Sequence, residues 1–190
     1  PSNIEEPKNR LSAKERRKLL ETARRSVEEV VRHGKEPTLE VKERRLTELG
    51  AAFVTLEKNG RLRGCIGYTT AEKPLYQTVS ECAIMAATQD PRFPRLTEDE
   101  LGEIEIEISV LSPLRKIESI DEIVVGLHGL YIKKGERRGL LLPQVATDWK
   151  WNRREFLENV CRKSGLPLDA WKEGADIYVF SAEIFREGEE

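Results

Sequence analysis

The stretch AAFVTLEKNGRLRGCIGY, residues 51–68, sets two apolar-rich runs on either side of Asn59-Gly60. That dipeptide supplies both positive-φ positions of a type I′ turn, so the stretch predicts a β-hairpin. With Asn59 and Gly60 central, Lys58 pairs with Arg61, Leu56 with Arg63 and Val54 with Cys65, and each pair shares a face of the sheet. Cys65 is therefore expected on the face of Val54 and Leu56, with Arg61 and Arg63 pointing to the same side. Gly64 and Gly67 interrupt an otherwise good strand, and a glycine there marks a bulge or the close approach of another backbone.

Upstream, Ser12 and Glu15 have the spacing of a capping box for a helix running to about His33 and ended by Gly34. Leu19, Leu20, Ala23, Val27, Val30 and Val31 follow the 3.6-residue period, so one face packs on a core. Downstream, Pro74 to about Gln89 reads as a helix with a small-residue face, and Asp90-Pro91-Arg92-Phe93-Pro94 as a rigid loop. Residues 103–111 alternate strictly, with Ile104, Ile106, Ile108 and Val110 on one side and Glu103, Glu105 and Glu107 on the other, the pattern of a half-buried strand. A short helix near 120–124, strands near 129–133 and 139–142, a helix from about 151 to 163 and a strand over 176–183 complete the pattern. Strands in hairpin and isolated settings among unevenly spaced helices indicate an α+β fold with a mainly antiparallel sheet flanked by helices. Residues 12–185 form one domain in which two subdomains fit, with 1–11 and 186–190 expected to fray.

The 190 residues suffice to bury roughly 70 % of the unfolded surface without staples. A net charge of −2, from 32 basic and 34 acidic residues, gives no global field toward nucleic acid or anionic lipid. No run of 18 apolar residues or secretory signal occurs, so a cytoplasmic protein with no membrane partner is expected. Cys65, Cys82 and Cys161 are odd in number and far apart, which argues for free thiols. The charged fraction of 35 %, rich in Lys, Arg and Glu, fits a heat-adapted prokaryotic source. Neither phosphate-binding glycine motif is present and histidine is sparse, so no cofactor and no metal are expected. Trp149, Trp151 and Trp171 read as core or lobe anchors.

Three groups could carry chemistry. A guanidinium at Arg63 near the Cys65 thiol would favour a reactive thiolate; the alternative is a buried structural thiol with glycines present for packing. His128, between Gly126 and Gly129, is the one plausible imidazole base, since His33 sits at a helix end; the plainer reading is a histidine satisfied by backbone. Glu103, Glu105 and Glu107 form a carboxylate row whose ordinary explanation is a solvent face. The segment from Lys8 to Arg45 is basic, thirteen residues against seven acidic, but glutamates interleave and no aromatic residue is there to stack on a base.

At these residues the chain resembles the AMMECR family and is identified as an archaeal or bacterial member. Leu62-Arg63-Gly64-Cys65-Ile66-Gly67 carries the likeness. Asp90-Pro91-Arg92-Phe93, the strand ending Ser109-Val110-Leu111-Ser112-Pro113, Gly126-Leu127-His128-Gly129-Leu130 and Leu141-Leu142-Pro143-Gln144-Val145-Ala146 follow in the family's order. The resemblance implies a larger subdomain built from N- and C-terminal parts, a smaller one beside it, and a cleft between. Cys65 and His128 are then the candidate catalytic residues, and Arg63, Gly64, Gly67 and Arg92 the candidate ligand-binding ones, for an unknown small or anionic ligand. A non-catalytic scaffold docking a protein partner is the alternative. RNA binding through the basic N-terminal helix, the least expected, requires affinity that falls steeply with salt.

Overall fold

The computed structural model describes residues 10–189. The chain forms two compact units, one reaching to Val110 and resuming at Glu183, the other spanning Leu111–Ala182.

In the first unit α1 (Ala13–His33) begins on a capping box. Ser12 accepts from the Glu15 N–H, the Glu15 carboxylate accepts from the Ser12 N–H, and Gly34 closes the helix at φ 65°. Its buried stripe of Leu19, Ala23, Val27 and Val30 is the one its periodicity marks out. After the short α2 (Arg44–Thr47) come β1 (Ala51–Lys58), β2 (Arg61–Tyr68), α3 (Leu75–Thr88) and β3 (Ile104–Leu111). Strand β2 is an edge strand paired antiparallel with β1, which lies in turn beside β3. The core joins α1 and α3 to the sheet through Leu19, Val27, Val54, Leu56, Val79 and Ile106.

The hairpin turn forms as its sequence requires, with φ of 52° at Asn59 and 73° at Gly60 and Lys58 opposite Arg61. Beyond it the register departs from the one expected. Glu57 pairs with Leu62 and Leu56 with Gly64, which leaves Arg63 as the extra residue of a bulge. From there the partners shift by one, so Cys65 lies opposite Thr55 and Ile66 opposite Val54. Since a one-residue slip moves every side chain to the other face, Cys65 sits with Thr55 and not with Val54 and Leu56. Arg63 and Cys65 no longer follow simple alternation.

Gly64 shows why the chain bulges here. A β-carbon built on it would lie 2.2 Å from the backbone oxygen of Ala86, so α3 rests directly on β2. Gly67 is covered from the other side, where an added β-carbon would meet the Phe53 ring at 2.3 Å.

The second unit contains β4 (Arg115–Lys116), β5 (His128–Lys134), β6 (Arg137–Leu141), α4 (Pro143–Asp148), α5 (Arg153–Lys163) and most of β7 (Asp176–Arg186). Strand β5 pairs antiparallel with both β6 and β7, and β4 with β7. Leu130, Ile132, Phe156, Leu157, Val160 and Val179 form its core. Helix α4 escapes sequence reading because it is six residues long, started by Pro143 at its first position.

Two expected loose ends are fastened where described. Leu11 is buried and its N–H donates to the Glu183 carboxylate. Glu187, expected to fray, donates its N–H to Ile106 O and binds Arg24 and the Ile106 N–H through its carboxylate. Residues 1–9 and 190 lie outside the described residues.

Gly64→Ala forces a methyl group onto a helix carbonyl, so it should cost about 1–3 kcal/mol in chemical denaturation. A loss below about 0.5 kcal/mol would show that α3 can retreat from β2 without penalty.

Candidate functional site

Placed on the face of Thr55, the half-buried Cys65 receives a hydrogen bond from the Thr55 hydroxyl to Sγ at 3.2 Å. The two residues are directly opposed on β1 and β2, and the Cys65 N–H points away from β1, the arrangement that brings cross-strand side chains closest.

The Cys65 N–H is met at the sheet edge by the Asp90 carboxylate at 2.9 Å. Asp90 also accepts from the Arg92 N–H at 3.1 Å and from the Arg92 guanidinium at 3.0 and 2.8 Å. A buried carboxylate with four donors is fully engaged, and the Arg92 hydrogen bonds hold its pKa far below the usual carboxylate range, against the opposing effect of burial. Arg92 reaches back to Cys65 O at 3.4 Å. The loop after α3 thus closes the edge of β2 at Cys65 alone, with one carboxylate for its N–H and one guanidinium for its C=O. Arg92 is raised above its ordinary value by Asp90 first and also by the charge of Cys65, which puts guanidinium and sulfur within electrostatic reach. Its side chain remains 55 % exposed while Asp90 is 2 % exposed, so a bound anion can reach it.

Arg63 plays a different part. Its side chain is 10 % exposed and grips Glu100 bidentately, Nε to Oε2 at 2.8 Å and Nη2 to Oε1 at 3.0 Å. Lys58 joins Glu100 at 3.2 Å and Glu103 at 3.0 Å. Glu100 is pulled down to about 2, by Arg63 above all. Nη1 of Arg63 is buried without an acceptor among the described residues, and the Arg63 and Arg92 guanidiniums lie 5.9 and 5.5 Å from the Phe93 ring centroid. The Phe93 ring is thus shared by two guanidiniums, each held by its own carboxylate.

His128 belongs to the second unit, at the start of β5 opposite Ser181. Its Nδ1 accepts the Val124 N–H at 3.0 Å, so the neutral ring carries its proton on Nε2. Burial, and secondarily Arg115, lower its pKa. Gly129 beside it leaves room for the Phe180 ring. The carboxylate row is divided among ion pairs: Glu103 binds Lys58 and Glu107 binds Arg186. Among the described residues no three His, Cys, Asp or Glu side chains converge as a metal site, and no helix is long and apolar enough to cross a membrane. On α1, Arg16 pairs with Glu183, Arg24 with Glu187 and Arg32 with Glu98, so much of its positive charge is neutralised within the unit.

A sequence profile of the AMMECR1 family matches residues 20–185, which takes in the hairpin, the Asp90 loop and β5. The chain belongs to the AMMECR1 family. A relative from Methanothermobacter thermautotrophicus is 45 % identical, the match covering 93 % of this chain and 96 % of that one. Protein MK0488 of Methanopyrus kandleri is 41 % identical over 95 % and 92 %. The crystal structure of PH0010 from Pyrococcus horikoshii has the same fold, with a TM-score of 0.85 and 40 % identity over 90 % of each chain. The contacts among Cys65, Asp90 and Arg92 come from the folded chain. Thr55, Asp90, Phe93 and Glu100 escaped sequence reading as site residues. Thr55 becomes visible only with the bulge in place, and nothing in the sequence marks Glu100 as the partner of Arg63.

A carboxyl whose folded pKa lies below its unfolded value of about 4.3 contributes stability that is complete above that value and lost as pH falls through the folded value. Glu100→Gln leaves a buried guanidinium without its counter-charge. It should cost about 3 kcal/mol near neutrality and flatten the decline in stability between about pH 5 and 2. An acid limb parallel to that of the unaltered protein would show that Glu100 does not carry it.

Proposed function

We propose that the recess around Cys65 binds a small ligand bearing an anionic group and that Cys65 is the nucleophile that acts on it. The observation carrying this reading is the half-buried sulfur that accepts from Thr55 Oγ1 at 3.2 Å, beside the exposed, Asp90-anchored guanidinium of Arg92. A negative charge on sulfur has there a hydroxyl donor and a cation to stabilise it, the surroundings in which cysteine chemistry is found. Arg92 is the anion clamp in this reading. Arg63 is a supporting residue, because Glu100 already occupies two of its nitrogens. Gly64 and Gly67 act by omission, admitting Ala86 O and the Phe53 ring. The reading gives His128 no proton to take, since Nδ1 already accepts a backbone N–H and Nε2 holds the ring proton.

A scaffold role is the second reading, and one feature favours it. Trp149 is 70 % exposed and stacks on the half-buried Trp151 with centroids 6.1 Å apart, an exposed aromatic pair at the end of α4.

Alkylation distinguishes the two. Cys82 is fully buried, its thiol pushed up to about 12 by burial, and Cys161 is fully buried and raised in the same way. The native protein should therefore take one equivalent of reagent, at Cys65, and three after unfolding. Thr55→Val should slow that reaction several-fold. Arg92→Ala should lower the rate with anionic iodoacetate more than with neutral iodoacetamide, and an unchanged ratio would remove Arg92 as the clamp. No labelling of Cys65 before unfolding would sink the nucleophile reading and leave the scaffold ahead.

A further inference from the structure

The two faces of the second unit's antiparallel sheet differ in character. Leu130 and Ile132 of β5, Leu141 of β6 and Ile177 and Val179 of β7 join the core with Phe156 and Leu157 of α5. Successive side chains of a strand alternate in direction, so Tyr131, Lys133, Arg138 and Tyr178 point to the other face. Strand pairing aligns them in two rows. Lys116 stands opposite Tyr178 and Tyr178 opposite Tyr131, while Lys133 stands opposite Arg138. Both tyrosines are half-buried, and Lys116, Lys133 and Arg138 are exposed.

The Tyr131 and Tyr178 rings meet edge to face with centroids 5.6 Å apart, which fixes both without stacking one on the other. Beside them the register sets Lys133 and Arg138 directly across from each other, and like charges so opposed weaken a sheet. Asp176, opposite Lys133 on its other side, is already bound to Lys116 at 3.1 Å. From Lys133 to Arg138 the β5–β6 turn carries four basic residues against the one carboxylate of Glu136. An anion lying along this row relieves a repulsion that the pairing itself imposes. A simple anion has no use for the rings. Aromatic side chains on neighbouring strands of an antiparallel sheet, with cations alongside, suit the bases and phosphates of a single strand. The two phenol hydroxyls can also bond a ribose 2′-hydroxyl, which favours RNA over DNA.

We infer that this sheet face binds single-stranded RNA, with bases stacked on Tyr131 and Tyr178 and phosphates held by Lys133 and Arg138. With a net charge of −2 on the chain, the attraction is local to this patch. Helix α1 lacks the combination, since it contains no Phe, Tyr or Trp and its Arg16, Arg24 and Arg32 are taken by carboxylates. The surface uses neither Cys65 nor its neighbours and stands whether or not the thiol is reactive.

Fluorescence anisotropy of a labelled oligouridylate titrated with the full chain tests it. Binding should have a Kd on the order of 1–100 μM near physiological salt, and log affinity should fall against log salt with a slope of about −1.4, the value for two phosphate contacts. Arg138→Gln should weaken binding several-fold, halve that slope and raise the unfolding midpoint, because it removes a repulsion along with a phosphate contact. Tyr131→Leu keeps apolar bulk but removes the ring, so it should weaken binding at least about fivefold with the slope unchanged. Arg17→Gln combined with Arg25→Gln, both exposed on α1, should leave affinity as it was. Inorganic polyphosphate should compete poorly charge for charge, and oligothymidylate should bind more weakly than oligouridylate. No binding at about 100 μM chain in low salt, equal competition by polyphosphate, loss of affinity on the α1 substitutions in place of those at Tyr131 and Arg138, or tighter binding of oligothymidylate would each overturn the assignment.

Discussion

The contact between the Ala86 carbonyl and Gly64 governs the architecture of the first unit around the hairpin. A helix can lie this close to a strand only where the strand has no side chain, and the bulge at Arg63 is what turns the bare position of β2 toward α3. Three consequences follow from one extra residue. Cys65 moves to the outer face with Thr55. The Arg63 side chain enters a nearly closed environment and must bring a counter-charge, which Glu100 supplies. The end of α3 is brought alongside the edge of β2, so that the loop leaving it can reach the Cys65 backbone.

The Asp90 loop then solves the problem every edge strand poses, unpaired backbone groups open to another chain. It does so at a single residue and with side chains in place of a strand. Because Asp90 is buried and Arg92 is not, one member of the pair is fixed in the protein and the other is offered to solvent. This asymmetry separates the Arg92 pair from the Arg63–Glu100 pair, in which both partners are withdrawn and the charge is spent on structure. Two arginines that look equivalent in the sequence are thereby divided between holding the fold and facing outward.

The second unit is put together differently. Its helices α4 and α5 cover a small antiparallel sheet, and its polar groups are mostly consumed locally, His128 by the turn at Val124 and Glu122 by the backbone of Glu118 and Ser119. Among its described residues, Gln144 Oε1 and the Trp171 Nε1 are the buried side-chain polar atoms left without a partner.

Much of this was legible in the chain before it folded. Ser12, Glu15 and Gly34 fix the ends of α1 because capping depends on neighbours three or four residues away. Asn59-Gly60 fixes the hairpin turn because only certain residues accept positive φ, and the alternation of residues 104–111 fixes a strand with one face buried. The family is also readable from the sequence, whose match runs over residues 20–185. What the sequence could not settle was the face on which Cys65 stands, since one unpaired residue reverses it and that residue is chosen by the approach of a helix some twenty positions away. The pairing of Arg63 with Glu100 and the contact of Asp90 with the Cys65 N–H were likewise decided only by tertiary structure. Charge pairing at 2.8–3.0 Å depends on where separate segments meet, and local sequence carries no record of that.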